Sequence, residues 1–259
     1  VRVPPRTDQP RPPDPWHRLR DVTPARIALG RAGGSLPTRE LLDFQLAHAL
    51  ARDAVHQPFE PQRLEQELAT LGLPVLHAAS AATDRATYLL RPDLGRRLAD
   101  GTAQSLEQRQ APDGYDVSIV LSDGLSALAA HRQIPPVLGH LVPRLRAAGF
   151  RLAPLTIVSL ARVAVQDEVT DRFGARLSVI LLGERPGLGS PDSLSAYLAF
   201  NPRPGVTTDA DRNCVSNIRP EGLPPAAASE LIFYLIDQAI RRRISGVELK
   251  DDRGTQTLA

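Results

Sequence analysis

The run VILLGERPGLG, Val179–Gly189, passes from an apolar stretch into a loop with glycines at 183, 187 and 189. A buried strand that opens into a glycine-rich loop often cradles phosphate, because glycine lets backbone N–H groups come close to an anion. Here the spacing is Gly-x-x-x-Gly-x-Gly and no lysine follows, so the loop is not a P-loop. Nor is it the dinucleotide fingerprint, whose glycines run in the opposite order. Glu184 would also meet a pyrophosphate with the wrong charge. A nucleotide- or nicotinamide-binding protein is therefore the second reading.

Other candidate chemistry fails on spacing. Asp209, Asp211 and Asn213 resemble the start of a calcium loop, but Cys214 stands where glycine is needed and Pro220 where a bidentate glutamate is needed. An Asp/Asn-rich turn accounts for them. The chain has no His-Glu-x-x-His and no cysteine pair for zinc. Ser126 lacks the second glycine of a nucleophile elbow. His48 is a single histidine on a helical segment, which reads as packed or solvated. No nucleophile, base and oxyanion donor assemble, so no catalytic residue and no metal ligand is assigned to this chain.

Composition narrows the classes further. The 259 residues carry 31 basic and 29 acidic side chains, a formal net charge of +2, with no basic run suited to nucleic acid. Arg241, Arg242 and Arg243 follow an apolar helical pattern and suit a helix C-terminus. No apolar run has membrane-spanning length, and no signal-peptide core is present. The single cysteine, Cys214, permits no internal disulfide and fits a reducing compartment. A cytoplasmic protein, bound to neither nucleic acid nor membrane, is expected.

These residues need elements to hold them. Six prolines fall within the first 16 residues, a density that no helix or central strand tolerates. A helix is expected from Pro37 or Thr38, with Glu40 in its first turn and a stripe of Leu42, Leu46, Ala49 and Leu50. A second helix is expected over 60–72, then a short extended piece in TYLLRPDLGRRL with a turn at Pro92-Asp93 leading into a further helix. Beyond residue 113 strands and helices alternate. YDVSIVLSDG, LAPLTIVSLARV, LSVILLGERPGLG and LSAYLAFNP read as strands. Between them lie a helix started by the prolines of IPPVLGHLVPRLRAAGF and stopped by Gly149, and a short one closed by Gly174. A long helix over 224–244, ended by Gly246, follows. The pattern predicts an α/β fold, a mainly parallel Rossmann-like sheet with helices on both faces. The expected division is a proline-rich arm over 1–20, a helical part over 21–112 and an α/β domain over 113–259.

In such a sheet the loops after the strand carboxyl ends converge. Ser122-Asp123-Gly124, Ala161-Arg162-Val163 and Gly183-Glu184-Arg185 all fall at such ends. They offer a carboxylate pair, arginines and an apolar patch, which suits a large neutral ligand edged with polar groups.

At this point RPDLGRRL, VLSDGLS, ARVAVQDEV, LLGERPGLGSPDSLSAYLAFNP and DRNCVSNIRPEGLPP together resemble the small subunit (light chain) of ethanolamine ammonia-lyase. The resemblance covers essentially all of the chain after the arm, and its motifs keep the family's order. It implies conversion of ethanolamine to acetaldehyde and ammonia with adenosylcobalamin. It also implies a hetero-oligomer in which a larger TIM-barrel subunit carries the substrate-binding and radical-handling groups. The small subunit would close over cobalamin lying between the two. Matched by motif, Val163, Glu184 and Cys214 are the cobalamin-contacting positions, and Arg162 is added from its place beside Val163. Glu184 would accept hydrogen bonds from the corrin amides. Structural roles remain open for each: Val163 in the core, Glu184 paired with Arg185, Cys214 inert. The chain lacks Asp-x-His-x-x-Gly, in keeping with a family that leaves the cofactor's own base on cobalt. The proline-rich arm has no amphipathic helix and does not support targeting to a bacterial microcompartment. A third reading is a non-catalytic interaction module.

Overall fold

The computed structural model describes residues 14–253, so the first 13 residues of the expected proline-rich arm lie outside the described residues. Six strands form one sheet: β1 (Val75–Ala79), β2 (Tyr115–Ser122), β3 (Leu155–Ser159), β4 (Ala175–Gly183), β5 (Leu194–Phe200) and β6 (Asn213–Ile218). The helices are α1 (Thr38–His56), α2 (Pro61–Leu68), α3 (Arg85–Leu90), α4 (Thr102–Glu107), α5 (Ala127–Ala147), α6 (Val165–Phe173) and α7 (Pro225–Arg242).

The sheet order is β1-β3-β2-β4-β5-β6. The first four strands in that order are parallel, whereas β5 and β6 are antiparallel to their neighbours. The fold is thus α/β with a mixed sheet, which corrects the expectation of a mainly parallel Rossmann-like one. The reason lies in the connection. Parallel neighbours need a long crossover, while the segment 184–193 between β4 and β5 holds no helix and returns the chain directly. Residues 75–79, within the stretch read as helical, supply an edge strand that pairs with β3.

Burial of β2 and β4 on both faces explains their continuous apolar runs. Val117, Ile119 and Leu121 of β2 join Leu177, Val179 and Leu181 of β4 in a core layer with α2, α5 and α7. Val120, Ile180 and Leu182 face the other way, onto Val165, Val169 and Phe173 of α6. Successive side chains alternate across a strand, so one apolar run feeds two layers.

Several helix boundaries differ from expectation. TYLL is helical, not extended, because Asp84 caps α3: its Oδ1 accepts from the Thr87 amide at 2.9 Å. Helix α5 starts at Ala127, where Ser126 Oγ accepts from the Ala129 amide at 3.1 Å. Pro135, Pro136 and Pro143 lie inside this helix instead of starting it. An interior proline costs about 3 kcal/mol. The fully buried row Ile134, Val137, Leu138, Leu141, Val142 and Leu145 offsets that cost. Helix α7 ends at Arg242, capped by Arg243 with φ 59°, and not by Gly246.

The chain divides into two compact units between Leu50 and Ala51, within α1. In the first unit Leu42 is 57 %, Leu46 61 % and Leu50 51 % exposed. Among the described residues, no helix is long and apolar enough to cross a membrane.

Candidate functional site

A cleft of about 550 Å³ opens where β2, β3 and β4 end. Its lining includes Arg162 and Val163 after β3, Glu184 and Arg185 after β4, Tyr197 of β5, and Arg212 just before β6. Three of the four predicted contact residues, Arg162, Val163 and Glu184, therefore share one cavity. The fourth, Cys214, sits beside it: in the β5–β6 ladder it is directly opposite Tyr197.

The glycines act differently from a phosphate cradle. A Cβ at Gly183 would overlap the Ser126 carbonyl oxygen, and one at Gly124 would overlap the Gly183 carbonyl oxygen. Both glycines let the loop after β2 pack closely against the end of β4, where the Leu125 amide donates to the Gly183 carbonyl at 2.9 Å.

Glu184 is held by three donors. The hydroxyls of Ser193 and Ser195 donate to its two carboxylate oxygens, and the Asn217 amide donates to Oε1 at 3.2 Å. Its carboxylate thus ties the β4–β5 hairpin to the end of β6. Among the described residues, no ion pair joins it to Arg185. A carboxylate offers about four lone-pair sites, so acceptor capacity remains for a ligand.

Asp123 was expected to complete a carboxylate pair with Glu184, but it is turned inward and 2 % exposed. Its Oδ1 accepts from the Leu160 amide at 2.7 Å, and its Oδ2 pairs with Arg85 Nη1 at 3.0 Å. Burial pushes its pKa upward, against the pull of those two donors.

The turn after β3 is bound at every step. Leu160 has φ 56°, a left-handed conformation that costs an L-residue roughly 1–2 kcal/mol. Ser80 Oγ donates to the Leu160 carbonyl at 2.7 Å, and the Ala161 amide donates to Ser122 Oγ at 3.2 Å. The Tyr88 hydroxyl donates to the Ala161 carbonyl at 3.1 Å, and the Arg162 amide donates to the Gly95 carbonyl at 2.7 Å. The Arg162 guanidinium lies 4.1 Å from the centre of the buried Tyr88 ring. That is a close cation–π contact. Burial pushes the Tyr88 hydroxyl up to about 12, so it remains a donor.

Cys214 is exposed and free. Its thiol pKa is raised, first by desolvation and further by the Glu184 carboxylate, although Tyr197 and Ser195 pull it down. A thiol of that kind is a weakly polar contact surface and a poor nucleophile. Tyr197 is itself pushed up to about 12, mainly by burial.

The far wall of the cleft hangs on a buried ion pair between Arg212 and Asp167 of α6. Tyr88, Tyr197 and Arg212 carry no sequence signal of a site, since an aromatic in an apolar run reads as core and an arginine in a polar turn as surface. Among the described residues, no group of three or more His, Cys, Asp or Glu side chains is placed to hold a metal ion. The cleft presents apolar patches at Leu125, Val163 and Leu182 beside polar groups at fixed positions, a lining that suits ligand binding.

The chain is similar to known proteins over nearly its whole length. The family model for the ethanolamine ammonia-lyase light chain matches residues 13–250. The ethanolamine ammonia-lyase small subunit of Azotobacter vinelandii is 57 % identical over 241 residues, covering 92 % of this chain and 89 % of its own. That of Ralstonia nicotianae is 55 % identical, with 92 % and 88 % covered. That of Pseudomonas fluorescens is 52 % identical, with 95 % and 90 % covered.

Proposed function

Because the chain belongs to the ethanolamine ammonia-lyase light-chain family, we propose that it is the small subunit of an adenosylcobalamin-dependent enzyme that converts ethanolamine to acetaldehyde and ammonia. In this reading its cleft is one wall of a cobalamin site shared with a larger TIM-barrel subunit, which brings the substrate-binding and radical-handling groups.

The observation that carries the reading is the meeting of Arg162, Val163 and Glu184 in one open cleft. A corrin is a broad apolar ring edged with amides, and the cleft offers matching surfaces. Leu125, Leu182 and Val163 can pack against the ring. Glu184 has spare acceptor capacity for an amide N–H. The Arg162 guanidinium edges the same wall, close over the Tyr88 ring. At about 550 Å³ the cleft is too small to enclose a whole cobalamin, which fits one wall of a shared site. When bound, adenosylcobalamin supplies the organic radical on which the reaction depends. This chain's own work is to orient the cofactor through Glu184 and Arg162, to exclude water with the apolar patch, and to present Cys214 as a small neutral contact beside Tyr197. The free cysteine suits a reducing cytoplasm.

The test is to assay the purified chain, the large subunit and their mixture with ethanolamine and adenosylcobalamin. Turnover and tight cobalamin binding are expected only for the mixture. Turnover by this chain alone would overturn the reading.

A further inference from the structure

We propose that the turn Leu160-Ala161-Arg162 is a strained mount that holds Arg162 and Val163 in their cofactor-facing positions before any cofactor arrives. The inference rests on the cobalamin reading above and adds Leu160, Asp123, Ser122, Ser80 and Tyr88 to it as positioning residues. None of these five is among the cofactor-contacting positions matched by motif, and Ser122 and Asp123 enter here as anchors of the turn and not as ligand contacts.

Three observations support it. First, Leu160 adopts φ 56°, a conformation for which glycine or asparagine would be the unstrained choice. A leucine persists there only when its surroundings over-determine the backbone. Second, the surroundings do so. Five backbone groups in a row are each satisfied by a distant partner: the Leu160 amide by Asp123, the Leu160 carbonyl by Ser80, the Ala161 amide by Ser122, the Ala161 carbonyl by Tyr88 and the Arg162 amide by Gly95. Four of the five partners are side chains. Third, the residue delivered by the turn is itself clamped. Arg162 Nη2 donates to the Tyr88 carbonyl at 3.2 Å, while Nε stays buried and unpartnered. The clamp requires Gly95, where a Cβ would lie 2.8 Å from Arg162 Cγ and 3.1 Å from Tyr88 Cε2.

A chain path that only needed to pass from β3 to α6 would require neither the strained residue nor five separate anchors. Their combined effect is to settle the ordering of Arg162 and Val163 during folding. Binding then carries no further cost for arranging this part of the wall.

The experiment uses the assembled two-subunit enzyme with Leu160→Gly and, separately, Leu160→Ala. Both remove the leucine side chain, but alanine keeps the Cβ and therefore the backbone restriction. Three quantities are measured: Tm, hydrogen exchange of the Ala161 and Arg162 amides without cofactor, and adenosylcobalamin affinity by equilibrium dialysis. Relief of the left-handed strain should leave Leu160→Gly with a Tm at or above that of Leu160→Ala. Its two amides should nonetheless exchange faster, and it should bind adenosylcobalamin about two- to fivefold more weakly, as expected from the added backbone freedom of glycine. A purely structural turn would move affinity and Tm together. Equal affinity in the two variants, with normal binding by the unaltered enzyme, overturns this inference alone. An unaltered two-subunit enzyme that takes up no adenosylcobalamin overturns the functional reading, and this one with it.

Discussion

Arg212 and Asp167 meet side by side inside the protein, Nη1 2.7 Å from Oδ1 and Nη2 2.6 Å from Oδ2, with each side chain only 2 % exposed. Arg212 Nη2 also donates to the Thr207 carbonyl at 3.3 Å, so the pair fastens the segment before β6 to the first turn of α6. Removing one partner leaves a buried charge without compensation. Arg212→Met should therefore lower stability by about 3–5 kcal/mol in urea unfolding. Arg212→Met combined with Asp167→Leu should recover most of the loss, because no charge is then stranded. If the single and double variants were equally unstable, packing and not charge would be the dominant contribution.

Glu184 and Arg185 should part company when mutated. With no ion pair between them among the described residues, Glu184→Ala should weaken adenosylcobalamin binding by about tenfold to a hundredfold, the equivalent of a lost charge-assisted bond. Arg185→Ala should not reproduce that loss. Glu184→Gln should be milder, since it keeps an acceptor oxygen. The serine and amide bonds to Glu184 imply an added loosening of the β4–β5 hairpin in Glu184→Ala. Affinity in the assembled enzyme, with Tm measured alongside, separates the two effects. Unchanged affinity in Glu184→Ala would remove this residue from the site.

His131 sets a pH dependence. Its Nε2 accepts a hydrogen bond from the Glu60 amide at 3.2 Å, which requires the neutral ring. Desolvation, with Arg63 adding to it, holds its pKa below the ordinary 6.5. The unfolded chain therefore binds this proton more readily than the folded one. The stabilising contribution is present above pH 6.5 and is lost as pH falls through the lowered folded value. Urea midpoints should decline on going from pH 7 to pH 5, and the decline should be shallower in His131→Gln. Parallel slopes in the two proteins would refute this assignment.

The open leucines of α1 predict where assembly fails. Leu42 and Leu46 are 57 % and 61 % exposed and one turn apart on the helix. Exposed apolar residues grouped on one helix in this way suit contact with a partner. Leu42→Glu with Leu46→Glu should leave Tm of the isolated chain within a few degrees, on the order expected for surface substitutions. It should weaken association with the large subunit in analytical ultracentrifugation. Association at unaltered strength would mean the stripe serves no partner.

Much of the fold could be read from the chain because its signals are local. The runs of β2 and β4 are long and apolar enough to declare buried strands, and Gly174, at φ 64°, ends α6 as its position after the helical pattern suggested. The edge strands β1 and β6 escaped notice because VLHAA and NCVSNI have weak or polar patterns; their pairing partners make them strands. The prolines of α5 misled for the opposite reason, since a strong local signal was overridden by core packing.

The sequence by itself determined the family, the α/β class and the convergence of Arg162, Val163 and Glu184 at the strand ends, because motif order and strand periodicity are properties of neighbouring residues. Only the tertiary structure decided the rest. It turned β5 and β6 antiparallel, spent Asp123 on the Leu160 amide, gave Glu184 to two serines and the Asn217 amide, and set Arg212 against Asp167. Glu184 and Asn217 are 33 residues apart, Asp123 and Leu160 37, and Arg212 and Asp167 45. Backbone propensity acts over a few residues, whereas a buried polar group must find its partner wherever packing places one.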